Sequence, residues 1–131
     1  MTRYVIGPDV AMQLAREGAE ISGEHELLAP ALIRSQLLSL YYQAVGRGEL
    51  TKKDAREQLD YVRGLRLRLL GDRVLQDAAW RVAEHLDQPD TYAAEYVALT
   101  QLQADAFVTL DEELAAAAKN LVEIAPVSAL L

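Results

Sequence analysis

The 131-residue sequence predicts an α/β domain, a three-layer α/β/α sandwich around a central, mostly parallel sheet. Three observations lead there. Short apolar runs of strand type, such as Tyr4-Val5-Ile6 and Phe107-Val108-Thr109, are separated by stretches whose apolar residues keep helical spacing. Strands that alternate with helices imply parallel pairing, with crossover helices covering both faces of the sheet. No internal repeat or low-complexity linker interrupts the pattern, and the length suits one compact core over residues 1–131.

The elements follow in order. Tyr4-Val5-Ile6 is closed by Gly7-Pro8, and Asp9 opens a helical pattern through Arg16. Leu27-Leu28-Ala29 is a second extended piece, and Pro30 suits the entry to the next helix. From Ala31 to Val45, apolar residues at Leu32, Leu37, Leu40, Tyr41 and Ala44 mark a helix that Gly46 and Gly48 end. Thr51 is placed to cap a helix whose inward side carries Leu59 and Val62, and Gly64 breaks it. Leu65, Leu67 and Leu69 alternate with Arg66 and Arg68, the period of a strand with one wet face. Gly71-Asp72 starts a helix to about Leu86 with Val74, Leu75, Ala78, Val82 and Leu86 inward, and Trp80 falls within its core pattern. Pro89-Asp90 starts a helix to about Gln103; the Phe107 strand, a helix from Asp111 to Lys119 and a last strand from Leu121 to Ile124 complete the chain.

Composition removes most chemistries. There is no cysteine, so disulfides, thiolate metal sites and cysteine nucleophiles are excluded, and His25 and His85 lie too far apart in sequence for a metal-ligand spacing. No Gly-rich phosphate loop is present. The opening MTRYVIGPDV is too short and too soon interrupted for a signal peptide, and no apolar run approaches membrane-spanning length, so the expectation is a cytoplasmic protein with no membrane contact. A net charge of −7 argues against general nucleic-acid coating, although Lys52 to Arg73 forms a basic stretch before an acidic final third. Lys52, Lys53, Arg66 and Arg68 can serve as RNA-phosphate contacts or as plain solubilising residues.

In parallel sheets, ligand sites gather beyond the carboxyl ends of the strands. Asp9 and Asp111 both fall there, each just after a strand. The raw material supports carboxylate-plus-Mg²⁺ chemistry, in which an ion held by one or two acids activates water in phosphodiester cleavage. Helix capping explains the same two residues equally well.

Three stretches carry a family resemblance over nearly the whole chain. The run YAAEYVALTQLQADAFVTLDEEL resembles the PIN-domain ribonucleases, in particular the VapC toxins of type II VapBC toxin–antitoxin systems, through Tyr92, Ala94, Tyr96, Ala98, Leu99, Val108, Thr109 and Asp111. Leu28-Ala29-Pro30-Ala31-Leu32 is similar to the strand–Pro–helix entry before that family's glutamate. The opening apolar strand followed by an acid-containing turn is the third, looser match.

The resemblance implies a PIN-like fold and an endoribonuclease using Mg²⁺, with Mn²⁺ as a substitute. It also implies a VapB-like antitoxin as partner, RNA as substrate and a homodimer. About four acids build the family's metal site, and this sequence matches them in part. Asp111 stands at the last acid position. Gly7 stands at the first, with Asp9 two residues on, either as a shifted replacement or as a helix cap. Gln36 stands at the second and Ala93 at the third. Glu95 is rotated by roughly 200° from position 93 along a helix, whereas Glu112 lies next to Asp111 as an additional ligand or as solvated charge.

Two functions follow: a VapC-type Mg²⁺-dependent endoribonuclease impaired by Ala93, or a non-catalytic PIN-like module that binds antitoxin or RNA without hydrolysis. Gly7 and Gln36 favour the second. Leu37, Leu38, Tyr41, Tyr42 and Val45 spread apolar surface over more than one helix face, which fits burial against a partner as well as ordinary packing on two sides.

Overall fold

A computed structural model describes residues 1–131. Four strands, β1 (Thr2–Ile6), β2 (His25–Pro30), β3 (Arg68–Leu70) and β4 (Ala106–Val108), form an all-parallel sheet in the order β3-β2-β1-β4. Six α-helices connect and flank them: α1 (Pro8–Glu17), α2 (Ile33–Gly46), α3 (Lys52–Arg63), α4 (Arg73–His85), α5 (Tyr92–Gln103) and α6 (Glu112–Ala118). Parallel crossovers are right-handed. The chain moves from β1 through β2 to β3 in one direction, so α1, α2 and α3 share a face; it then reverses to reach β4, so α4 and α5 cover the other. The expected three-layer α/β/α sandwich is therefore the observed one.

The central strands are buried on both sides because the sequence gives them continuous apolar runs. Val5, Ile6, Leu28, Phe107 and Val108 are almost wholly inaccessible and join one hydrophobic cluster with residues of α1 to α6. The α4–α5 layer is close because its facing residues are small: Ala78, Ala79 and Ala83 are buried on α4, Ala94 and Ala98 on α5. Helix starts are signalled as the sequence suggests. Thr51 Oγ1 accepts from the Asp54 N–H, and Asp72 Oδ1 accepts from the Leu75 N–H.

Four local expectations change. The strand expected through Leu65–Leu69 is confined to Arg68–Leu70, because the chain leaves α3 through a turn and Arg66 takes a left-handed conformation, φ 54°. The expected last strand reduces to one bridge, Ile124 to Phe107. Val74 is 60% exposed and Trp80 67% exposed. Both lie outside the alanine-rich row that seats α4 on α5, and that close seat leaves a large ring no place inside. No helix is long and apolar enough to cross a membrane.

Candidate functional site

The chain reverses its direction of travel between β1 and β4, which are hydrogen-bonded neighbours pairing Ile6 with Val108. Ligand sites form at such switch points, beyond the carboxyl ends of the strands. Asp9 follows β1 and Asp111 follows β4, so the two acids singled out from the sequence flank one crevice. Gly7 continues β1 by donating its N–H to the Val108 carbonyl at 3.0 Å, and Pro8 fixes the first turn of α1.

The carboxylate of Asp9 is spent on the protein itself. Its Oδ2 accepts from Thr109 Oγ1 at 3.2 Å and from the Leu110 N–H at 3.0 Å. Its Oδ1 accepts from the Val10 N–H at 2.8 Å. An ionised carboxylate offers about four lone-pair sites, so three of them are engaged. Thr109 Oγ1 in turn accepts from the Asp111 N–H at 3.1 Å. Asp111 Oδ1 caps α6 by accepting from the Leu114 N–H at 3.0 Å. Asp9 thus ties the start of α1 to the β4–α6 loop, and Asp111 ties that loop to its helix.

The remaining positions behave alike. Gln36 Oε1 accepts from the Tyr96 hydroxyl at 2.5 Å, joining α2 to α5 with neutral groups. Burial raises the Tyr96 phenol far above its usual range, and the negative charges of Glu95 and then Asp9 push it further the same way, so it stays a neutral donor. Partial burial also raises the carboxyl of Glu95. Ala93 is half-buried and supplies no donor, and Glu112 is exposed in the first turn of α6. Sequence reasoning missed Thr109 and Tyr96 as participants; both stand in the family-like run, yet their partners lie 100 and 60 residues away in the chain.

Magnesium wants several oxygen ligands converging on one point. No three Asp, Glu or His side chains converge closely enough to hold a metal ion. Gly7 and Ala93 lack side-chain oxygens, Gln36 is neutral, Asp9 is largely engaged and Asp111 caps α6, so the side chains as placed do not fit the ion without rearrangement.

A different surface is open. Tyr41 is buried and its hydroxyl donates to Gln58 Oε1 at 3.0 Å, pinning α2 to α3. On the next positions round the helix, Leu38 is 61% and Tyr42 80% exposed. Leu38 borders two adjoining concavities of about 440 and about 720 Å³, which also share Leu59 and Arg63, and Tyr42 lines the second. Arg34, Lys52 and Arg56 edge them without ion-pair partners, whereas Arg63 is paired with Asp60 at 2.6 Å. Of the other basic residues considered for phosphates, Arg68 engages Glu26 at 3.4 Å, a carboxylate it shares with Arg3 at 3.2 Å, and Lys53 lies 3.9 Å from Glu57.

No protein-family model matches the sequence, and no curated protein matches it. Solved structures share the fold. PAE2754 from Pyrobaculum aerophilum superposes with a TM-score of 0.79 at 20% identity, over 98% of this chain and 91% of that one. A chain of VapBC2 from Rickettsia felis, solved bound to a DNA fragment from their promoter, superposes with a TM-score of 0.65 at 11% identity, over 95% of this chain and 98% of that one. At these identities the likeness is one of fold, and the fold is PIN-like.

Proposed function

We propose that this chain is the VapC-like member of a VapBC-type toxin–antitoxin pair that holds a cognate VapB-like antitoxin without hydrolysing RNA. The observation that carries the reading is the α2–α3 groove. It combines exposed apolar anchors, Leu38 and Tyr42, with unpaired cations at Arg34, Lys52 and Arg56. An amphipathic helix docks in such a groove through apolar residues spaced along one face. Unpaired cations at its edge favour a segment with acidic flanks, although the chain as a whole carries −7. The fold likeness to a chain of the VapBC2 assembly supports a partner of that kind. A homodimer belongs to the same proposal, and light scattering on the free chain tests it.

The test is the affinity for the cognate antitoxin, measured by calorimetry on the natural chain and on Leu38→Asp. Tight binding that Leu38→Asp reduces at least tenfold, with thermal stability unchanged, is expected. Equal affinities would place the partner elsewhere and end this reading.

One observation favours a second reading, an Mg²⁺- or Mn²⁺-dependent endoribonuclease. Asp9 and Asp111 follow neighbouring strands, and Thr109 links the Asp9 carboxylate to the Asp111 backbone N–H, an arrangement that fits the surviving half of an acidic site. On that reading Asp9, Asp111 and Glu112 are the ligands of an incomplete site, Gln36 is a neutral stand-in, and Ala93→Asp strengthens a weak metal-dependent RNA cleavage that the missing acid impairs.

A further inference from the structure

Gly7 is buried, and its backbone, at φ −76° and ψ 165°, is ordinary extended chain open to any residue. Conformation therefore does not explain a glycine here. Space does: a Cβ at position 7 would stand 2.6 Å from Asp9 Oδ1, well inside contact distance. Its next neighbours are the rest of that carboxylate at 3.6 Å and the Val108 carbonyl at 3.8 Å, both ordinary contacts. The Asp9 carboxylate fills the room that a side chain on residue 7 would enter, and from there it reaches Thr109 and Leu110 on the far side of the crevice.

We infer that Gly7 and Asp9 are an interdependent pair: the missing side chain at 7 admits the Asp9 carboxylate, which closes the β1–β4 crevice by hydrogen bonds in place of a cation. Asp9 is here a positioning residue, holding the β4–α6 loop against α1. The inference deepens the non-hydrolytic reading and rests on it in requiring no metal at this edge. It also predicts an order of events in any attempt at restoration. An acid placed at position 7 evicts Asp9 before it can bind anything, so Gly7→Asp adds a carboxylate only by displacing the one already there.

A double-mutant cycle of melting temperatures tests the pair. Gly7→Ala is expected to lower the melting temperature by about 7 °C by displacing the carboxylate, and Asp9→Ala to lower it by a similar amount. Gly7→Ala added to Asp9→Ala should cost no more than about 1 °C, since the backbone accepts alanine and the obstacle has gone. Should Gly7→Ala alone fail to fold, the comparison of Asp9→Ala with the double variant decides. Additive losses would overturn the pairing. Millimolar Mn²⁺ or EDTA should leave the natural chain's melting temperature unchanged; a rise with Mn²⁺ that vanishes in Asp9→Ala would overturn closure without a cation. Loss of antitoxin binding would end the functional proposal and leave this cycle untouched.

Discussion

The two ends of helix α2 meet different fates. Near its start, Gln36 turns into the carboxyl edge of the sheet and hydrogen-bonds Tyr96, beside a crevice where Asp9, Thr109 and Asp111 satisfy one another and their backbone. From Leu38 to Tyr42 the same helix leaves large apolar groups in solvent beside unpaired cations. In the first region polar groups have found internal partners, whereas in the second neither the apolar surface nor the cations have. Where a fold spends its hydrogen-bonding capacity internally it gains rigidity, and where it leaves surface unspent it can bind. The contrast argues that the crevice is scaffold and the groove is the working surface.

Asp9→Ala is the strongest way to break the contrast. It removes the acceptor for the Thr109 hydroxyl and for the Leu110 and Val10 N–H groups, and should cost about 2 kcal/mol of unfolding free energy in urea titration. A loss below about 0.5 kcal/mol would mean that the carboxylate is available for something else. In the groove, Tyr42→Ala should change stability by less than about 0.5 kcal/mol and weaken antitoxin binding by about 1–2 kcal/mol. A fall in stability with affinity intact would reverse the assignment of the two regions.

Tyr96→Phe probes the crevice more gently. It leaves Gln36 Oε1 without its donor and should cost about 1 kcal/mol, with groove affinity unaltered in the same calorimetric assay. The smallest effect concerns Glu95, whose carboxyl is raised by burial. A raised folded-state value means that the native chain binds the proton more tightly than the unfolded chain. Stability therefore falls as pH rises from the unfolded value through the folded one, the reverse of a paired carboxylate. Glu95→Gln should flatten that part of the stability–pH curve and leave the chain slightly more stable at neutral pH; an unchanged curve would remove Glu95 from the crevice's electrostatics.

Much of the fold was legible because its signals are local. The continuous apolar runs of β1, β2 and β4 announce buried parallel strands, and Thr51, Asp72 and Asp111 cap helices where short-range spacing places them. What escaped depends on neighbours distant in sequence. Leu65 to Leu69 has strand periodicity, but only Arg68–Leu70 meets β2. Trp80 shares an apolar helix with Leu75 and Val82 yet lies outside, since the alanine seat on α5 leaves no room for it. The site divides along the same line. Asp9, Gln36 and Asp111 could be placed at the carboxyl edge from their strands and helices. That Asp9 stands in front of Gly7, with its oxygens already engaged by the loop after β4, is a fact of three-dimensional packing.

The most direct measurement is an RNA cleavage assay with the natural chain in Mg²⁺ and in Mn²⁺, run beside its Asp111→Asn variant. The account predicts no metal-dependent cleavage by either protein, because the acids at the sheet's edge serve the fold. Cleavage by the natural chain that needs the ion and is lost with Asp111→Asn would contradict it, and would make the crevice the working surface.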